Sequence, residues 1–255
     1  MTLTEIQAKV ATARELDFGT IFNQSIELFK KVWLQGLLTL IITAAMMIPF
    51  YLLMYLPMIA LGILDPESLE QGSNPNFLLM LPFFVLMIVF MFCAMFISFT
   101  MQAAFFRICR QKDLNLIGTD DYFYFFKKRY IGKVLKLSLA SVAISIVAML
   151  LCFFPFIYVM VPIYFFSIMF AFNPELSVSE IIKASFDLGN KKWFLTFGLI
   201  IVASILAQII GFLMCFIGVF VTASFLYLPI YFIYKEVIGF EDFNEVNQIG
   251  KIQEF

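Results

Sequence analysis

Histidine does not occur in this chain of 255 residues, which removes the commonest general base and the commonest metal ligand at once. The 18 carboxylates are scattered along polar segments, and their spacing offers no acid–base pair, catalytic triad or metal cluster. A glycine-rich phosphate loop is missing as well. Cysteine is scarce. Cys93, Cys152 and Cys215 lie in apolar runs and read as small packing residues, Cys109 lies in a basic stretch, and no pair has metal-ligand spacing. These absences argue against an enzyme, and neither cofactor nor metal is expected. Residues 1–14 lack the basic start, apolar core and cleavage site of a signal peptide. The net charge of −1 is uninformative about partners, and nucleic acid is not expected among them.

Charge is also missing from four long runs: 36–64, 77–106, 137–172 and 194–234. With 62% hydrophobic residues, too much apolar surface is present for a soluble domain, so lipid is the expected solvent. The last run has 41 residues, roughly 60 Å of helix and twice the hydrocarbon thickness of a bilayer. It must fold back as two spans. The run 137–172 is again too long for one crossing, and Pro155 is the expected turn. The fold class predicted is all-α: a polytopic membrane protein with six transmembrane helices as three hairpins, each preceded by an amphipathic interfacial helix.

Those leading helices have local signals. Asp17 caps a face of Phe18, Ile21, Phe22, Ile26 and Phe29. Thr119-Asp120 leads into five aromatics, Tyr122 to Phe126. Ser177 and Glu180 form a capping box before Val178, Ile181, Ile182 and Phe186. Each helix is expected to end at a Lys-x-aromatic ledge whose aromatics are Trp33, Tyr130 and Trp193. The single membrane domain then divides into units of about 17–106, 119–172 and 177–234, the last two sharing Pro-Ile-Tyr-Phe at 162–165 and 229–232. Residues 235–255 are expected to be a loosely held cytoplasmic tail.

All 17 Lys and Arg residues fall on one side of this arrangement, opposite Asp65, Glu67 and Glu70. The positive-inside rule makes that side cytoplasmic, with both termini there. A cysteine at Ser68 is then expected to react with an impermeant maleimide in intact cells, and Cys109 only after the membrane is opened. Small residues in the odd spans (Thr39, Thr43, Ser141, Ser145, Ala203, Ala207, Gly211) predict that odd spans lie inside and even spans outside. No ionisable group lies within a span, which argues against ion-coupled transport. Gln102 and Gln208, the polar exceptions, are expected to bond neighbouring helices.

The bases Arg107, Arg110, Lys127, Lys128, Arg129, Lys133, Lys191 and Lys192 form the candidate surface for anionic lipid or a partner protein. The plainer reading of the same bases is topology determination and anchoring. The segments 16–31, 102–107 and 182–193 resemble the six-span membrane domain that accompanies some bacterial glycerophosphodiester phosphodiesterases, and related stand-alone bacterial membrane proteins. That resemblance implies a bacterial inner-membrane protein. It carries over no catalytic residue, because the family's catalytic barrel has no counterpart here. The expectation is a scaffold or accessory subunit in contact with membrane lipids and other membrane proteins; a transport component is the alternative.

Overall fold

A computed structural model of the chain describes residues 1–60, 77–151, 153–214 and 217–240. Among the described residues all regular structure is helical, and six helices are long and apolar enough to cross a membrane. The loop with Ser68, Cys152, Cys215 and residues 241–255 lie outside the described residues.

Thr2 and Glu5 cap α1 (Leu3–Ala11) reciprocally, and its Ile6 and Val10 are buried. Two long helices follow, α2 (Phe18–Ala60, 43 residues) and α3 (Phe77–Asp113, 37 residues). Asp17 caps α2 as its position predicts, accepting from the Thr20 N–H at 2.7 Å. The expected break at Lys31-Val32-Trp33 does not occur. Lysine and tryptophan mark a change of environment, yet neither interrupts the hydrogen-bond ladder as proline would. The amphipathic opening and the first span are therefore one helix. Likewise α3 does not stop at Arg107 but continues to Asp113.

The expected second amphipathic helix is reduced to one 3-10 turn, Tyr124–Phe126, before α4 (Lys128–Leu150). Its central ring packs into the core instead of lining a helix face: Phe125 and Phe170 centroids are 4.8 Å apart. The turn after α4 precedes Pro155, which occupies the first turn of α5 (Phe153–Phe172). There a missing N–H costs no helical bond.

The discrete amphipathic helix of the predicted kind is α6 (Val178–Lys191), with both halves of its capping box formed, a device worth about 1 kcal/mol. Hydrogen bonds from Ser177 hold the Glu180 carboxylate below its ordinary range. That contribution is present at neutral pH and is lost as pH falls through the lowered value. α6 runs antiparallel along α5. Phe166 and Phe186 centroids are 6.2 Å apart, Tyr158 Oη donates to Asn190 Oδ1 at 2.5 Å, and the Trp193 indole donates to the Tyr158 carbonyl at 3.0 Å. Gly189 permits this approach: a Cβ there would sit 2.9 Å from the Pro162 Cα.

α7 (Trp193–Leu213) is followed by a sixth span in three pieces: α8 (Ile217–Thr222), a 3-10 segment (Ala223–Tyr227) and α9 (Leu228–Val237). Pro229 explains the break. It has no N–H for the Phe225 carbonyl, which the Leu228 N–H takes at shorter 3-10 spacing.

The inside–outside expectation fails for the first, fourth and sixth spans and holds for 81–96 of the second. Val161, Phe165, Phe166, Ile168, Met169 and Phe170 of α5 are wholly inaccessible, as are Ile230, Tyr231, Ile233 and Tyr234 of α9. By contrast, no described residue of α2 beyond Gly36, and none in 81–96 of α3, is buried. Ala203, Ala207 and Gly211 do form a buried stripe on α7, but Ile205, Ile209 and Phe212 of the same helix are exposed. Small residues let one face approach a neighbour, whereas a central helix needs large side chains to fill space on every side.

Residues 235–240 are not loose either. Lys235 pairs with Asp113 at 2.6 Å, Ile238 is buried, and Gly239 ends α9 with φ +73°. Phe240 packs on Phe172 with centroids 4.7 Å apart.

Candidate functional site

Arg107 and Arg110 sit three residues apart, on one face of the last turns of α3. The chain then loops back so that Tyr124 lies under Arg107, its ring centroid 3.2 Å from the guanidinium carbon. Lys127 approaches the same ring at 4.4 Å. Both contacts are cation–π pairs, which hold the cations in place without neutralising them. Around them is a cavity of about 570 Å³ lined by Arg107, Arg110, Lys127, Thr119, Asp121 and Pro174 among others. Asp121 is the one carboxylate in the lining, 3.8 Å from Lys127, and it accepts from the Phe123 N–H at 3.1 Å. Three cations and one carboxylate line this concavity, whose size suits a phosphate-bearing group.

The other bases singled out in the sequence have different surroundings. Lys128 is exposed at the first position of α4. Arg129 pairs with Glu175 at 2.5 Å. Lys133 donates to the carbonyls of Pro174 and Leu176, tying α4 to the connection between α5 and α6. Lys191 lines a shallow groove with Gln7 and Asp187. Lys192 is buried and donates to the Arg14 carbonyl; burial, then the neighbouring Lys191, pushes its pKa down. Three of the eight bases are therefore brought together, and Lys133 and Lys192 are spent on backbone carbonyls.

Among the ledge aromatics, Trp33 is exposed and Trp193 half-buried, while Tyr130 is buried between Tyr124, Phe125 and Phe170. Cys109 is in α3 and wholly buried, which rules it out as a labelling probe. Gln102 donates to Tyr227 Oη at 3.1 Å, bridging α3 to the 3-10 segment; Gln208 is exposed.

Several polar contacts were not foreseen. Lys9 donates to the Ile238 carbonyl at 2.7 Å and Gln7 to Asp187 at 2.7 Å. Lys112 pairs with Asp120 at 3.1 Å, and Tyr231 donates to Asp113 at 2.8 Å. Together they clasp α1, α3, α6 and α9 at one end of the bundle, beside the cationic cavity. No family model, curated protein or solved structure matches the chain.

Proposed function

We propose that this chain is a non-enzymatic module of a bacterial inner membrane, both termini cytoplasmic, that holds an anionic lipid head group at the cytoplasmic surface and thereby serves as a scaffold or accessory subunit. The observation that carries this reading is the convergence of Arg107, Arg110 and Lys127 on one cavity beside Tyr124. Neutralising those three with glutamine is the test. Arg129 and Lys133 stay untouched because they hold Glu175 and the Pro174 carbonyl. At about 1 kcal/mol per cation near an anionic leaflet, the triple variant is expected to bind phosphatidylglycerol about 100-fold more weakly, read by native mass spectrometry of lipid titrations. Unchanged binding would remove the surface reading, and flux of a defined solute through liposomes holding the purified protein would replace it with the transport reading.

Orientation is supported by the side on which the cations gather. With all four native cysteines replaced by serine, Lys128→Cys is expected to react with an impermeant maleimide only after the membrane is opened, and Ser68→Cys in intact cells. The reverse pattern would invert the assignment.

A further inference from the structure

α6 bears Glu180, Lys183, Asp187 and Lys191 at spacings of three and four residues, which sets them along one face. Lys183 and Lys191 are exposed. α1, with Glu5 and Lys9 exposed, lies against the same helix through the Gln7–Asp187 bond. Two charges of the stripe are carboxylates on side chains too short to reach water from the middle of a bilayer. Charges within a membrane gather where a bundle interior or a water-filled cavity shelters them, whereas this stripe is open on the outside of the body. α6 therefore lies in water or among head groups along its whole length.

Its other face fixes the depth of α5. Phe186 meets Phe166, Gly189 meets Pro162 and Asn190 accepts from Tyr158, contacts that follow α5 back toward its first turn. The Trp193 indole then reaches the Tyr158 carbonyl. Beyond Tyr158 only residues 153–157 of α5 remain, about 8 Å of helix even for one standing upright in the membrane. The hydrocarbon is about 30 Å thick. α3 gives the same answer independently. Phe156 shares a cavity with Met95, and α3 continues from Met95 back to Phe77, about 27 Å of further helix. None of its residues 81–96 is buried, so a bilayer's thickness of lipid-facing helix lies beyond the start of α5.

We infer that the α4–α5 hairpin does not cross the bilayer but ends within the nearer leaflet, its tip an interaction surface for acyl chains. Met149, Leu150, Leu151 and Phe154 form that tip, each at least 65% exposed, and no charged residue lies between Lys136 and Glu175. In water such a patch would be a liability. Phe154 lines one cavity with Asn190 and Trp193, so the tip begins beside the polar end of α6. Trp193 stands there as an interfacial aromatic, and insertion by about 5–10 Å is the usual reach of elements that lie on one membrane surface. α5 is apolar for a different reason than a crossing helix: Val161, Phe165, Phe166 and Phe170 are inaccessible and meet protein, not lipid. Length and composition are the same in the two cases. A hairpin that enters and leaves on one side moves neither terminus across the membrane.

The test places single cysteines in the cysteine-free protein, in membrane vesicles. Leu150→Cys and Phe154→Cys report the tip, and Lys128→Cys and Ser68→Cys mark the two sides. Both tip side chains are exposed, so these variants are expected to melt with the cysteine-free parent. A nitroxide at either tip position is expected to collide more often with oxygen than with a water-soluble nickel chelate. The chelate is expected to act more strongly from the side on which Lys128→Cys reacts with an impermeant maleimide than from the side of Ser68→Cys. Neither tip cysteine is expected to react with that maleimide from either side. Reaction of a tip cysteine from either side would overturn the proposal, as would chelate contact that is equal from both sides or stronger from the Ser68 side. The two markers supply the reference, so the result holds whichever side proves cytoplasmic, and failure of lipid binding at the cationic cavity would leave it standing.

Discussion

Replacing Asp113 with leucine is expected to destabilise the protein by about 3 kcal/mol, a value toward the lower end for loss of one partner from a buried ion pair. Asp113 receives both Lys235 at 2.6 Å and the Tyr231 hydroxyl at 2.8 Å. The carboxylate is 15% exposed and the ammonium 28%, so water screens the pair only in part. Leucine would leave an ammonium and a phenol without their acceptor where α9 is fastened to α3. The companion Lys235→Met is expected to recover most of the loss, because removing both charges also removes the penalty for stranding one. A denaturation series of wild type, both single variants and the double variant gives the coupling directly. Additive effects would mean that the pair is ornamental and that apolar packing alone holds α9.

Phe170→Ala is expected to cost about 3–5 kcal/mol, the usual range for emptying a buried aromatic site. Its ring touches Phe125 at 4.8 Å, Phe99 at 5.9 Å and Tyr130 at 6.2 Å, and nothing can refill the space it leaves. Phe154→Ala, on the same helix but 83% exposed, is expected to change stability by less than about 1 kcal/mol, since lipid replaces the lost contacts. Similar melting temperatures for the two variants would refute the placement of α5 at the centre.

Features written in consecutive residues were legible from the sequence. The uncharged runs gave the spans, and Ser177 with Glu180 gave the start of α6 to the residue. Lys31-Val32-Trp33 misled because a change in composition is not a change in backbone path. The inner helices could not be read from small residues, since those report one close contact and not how many sides of a helix are covered. The cationic site was half visible. Arg107 and Arg110 share a face by spacing alone, but Tyr124 reaches Arg107 only through the course of a loop. Lys192 and Lys133 looked equally available, yet each binds a carbonyl far along the chain, at Arg14 and Pro174.

The disparity in helix length has a mechanical consequence. Phe156, near the start of α5, shares a cavity with Met95, and Phe220 of α8 shares one with Ala44. From that level α2 runs on to Ala60, about 24 Å of further helix at 1.5 Å per residue. α4, α5 and α7, with 23, 20 and 21 residues, are far shorter than α2 and α3. Among the described residues the body is thus a taper, six helices wide at one depth and two at another. Where the girth of a membrane inclusion changes with depth, the two leaflets are displaced unequally, and the lateral pressure and spontaneous curvature of the lipid enter its conformational energy.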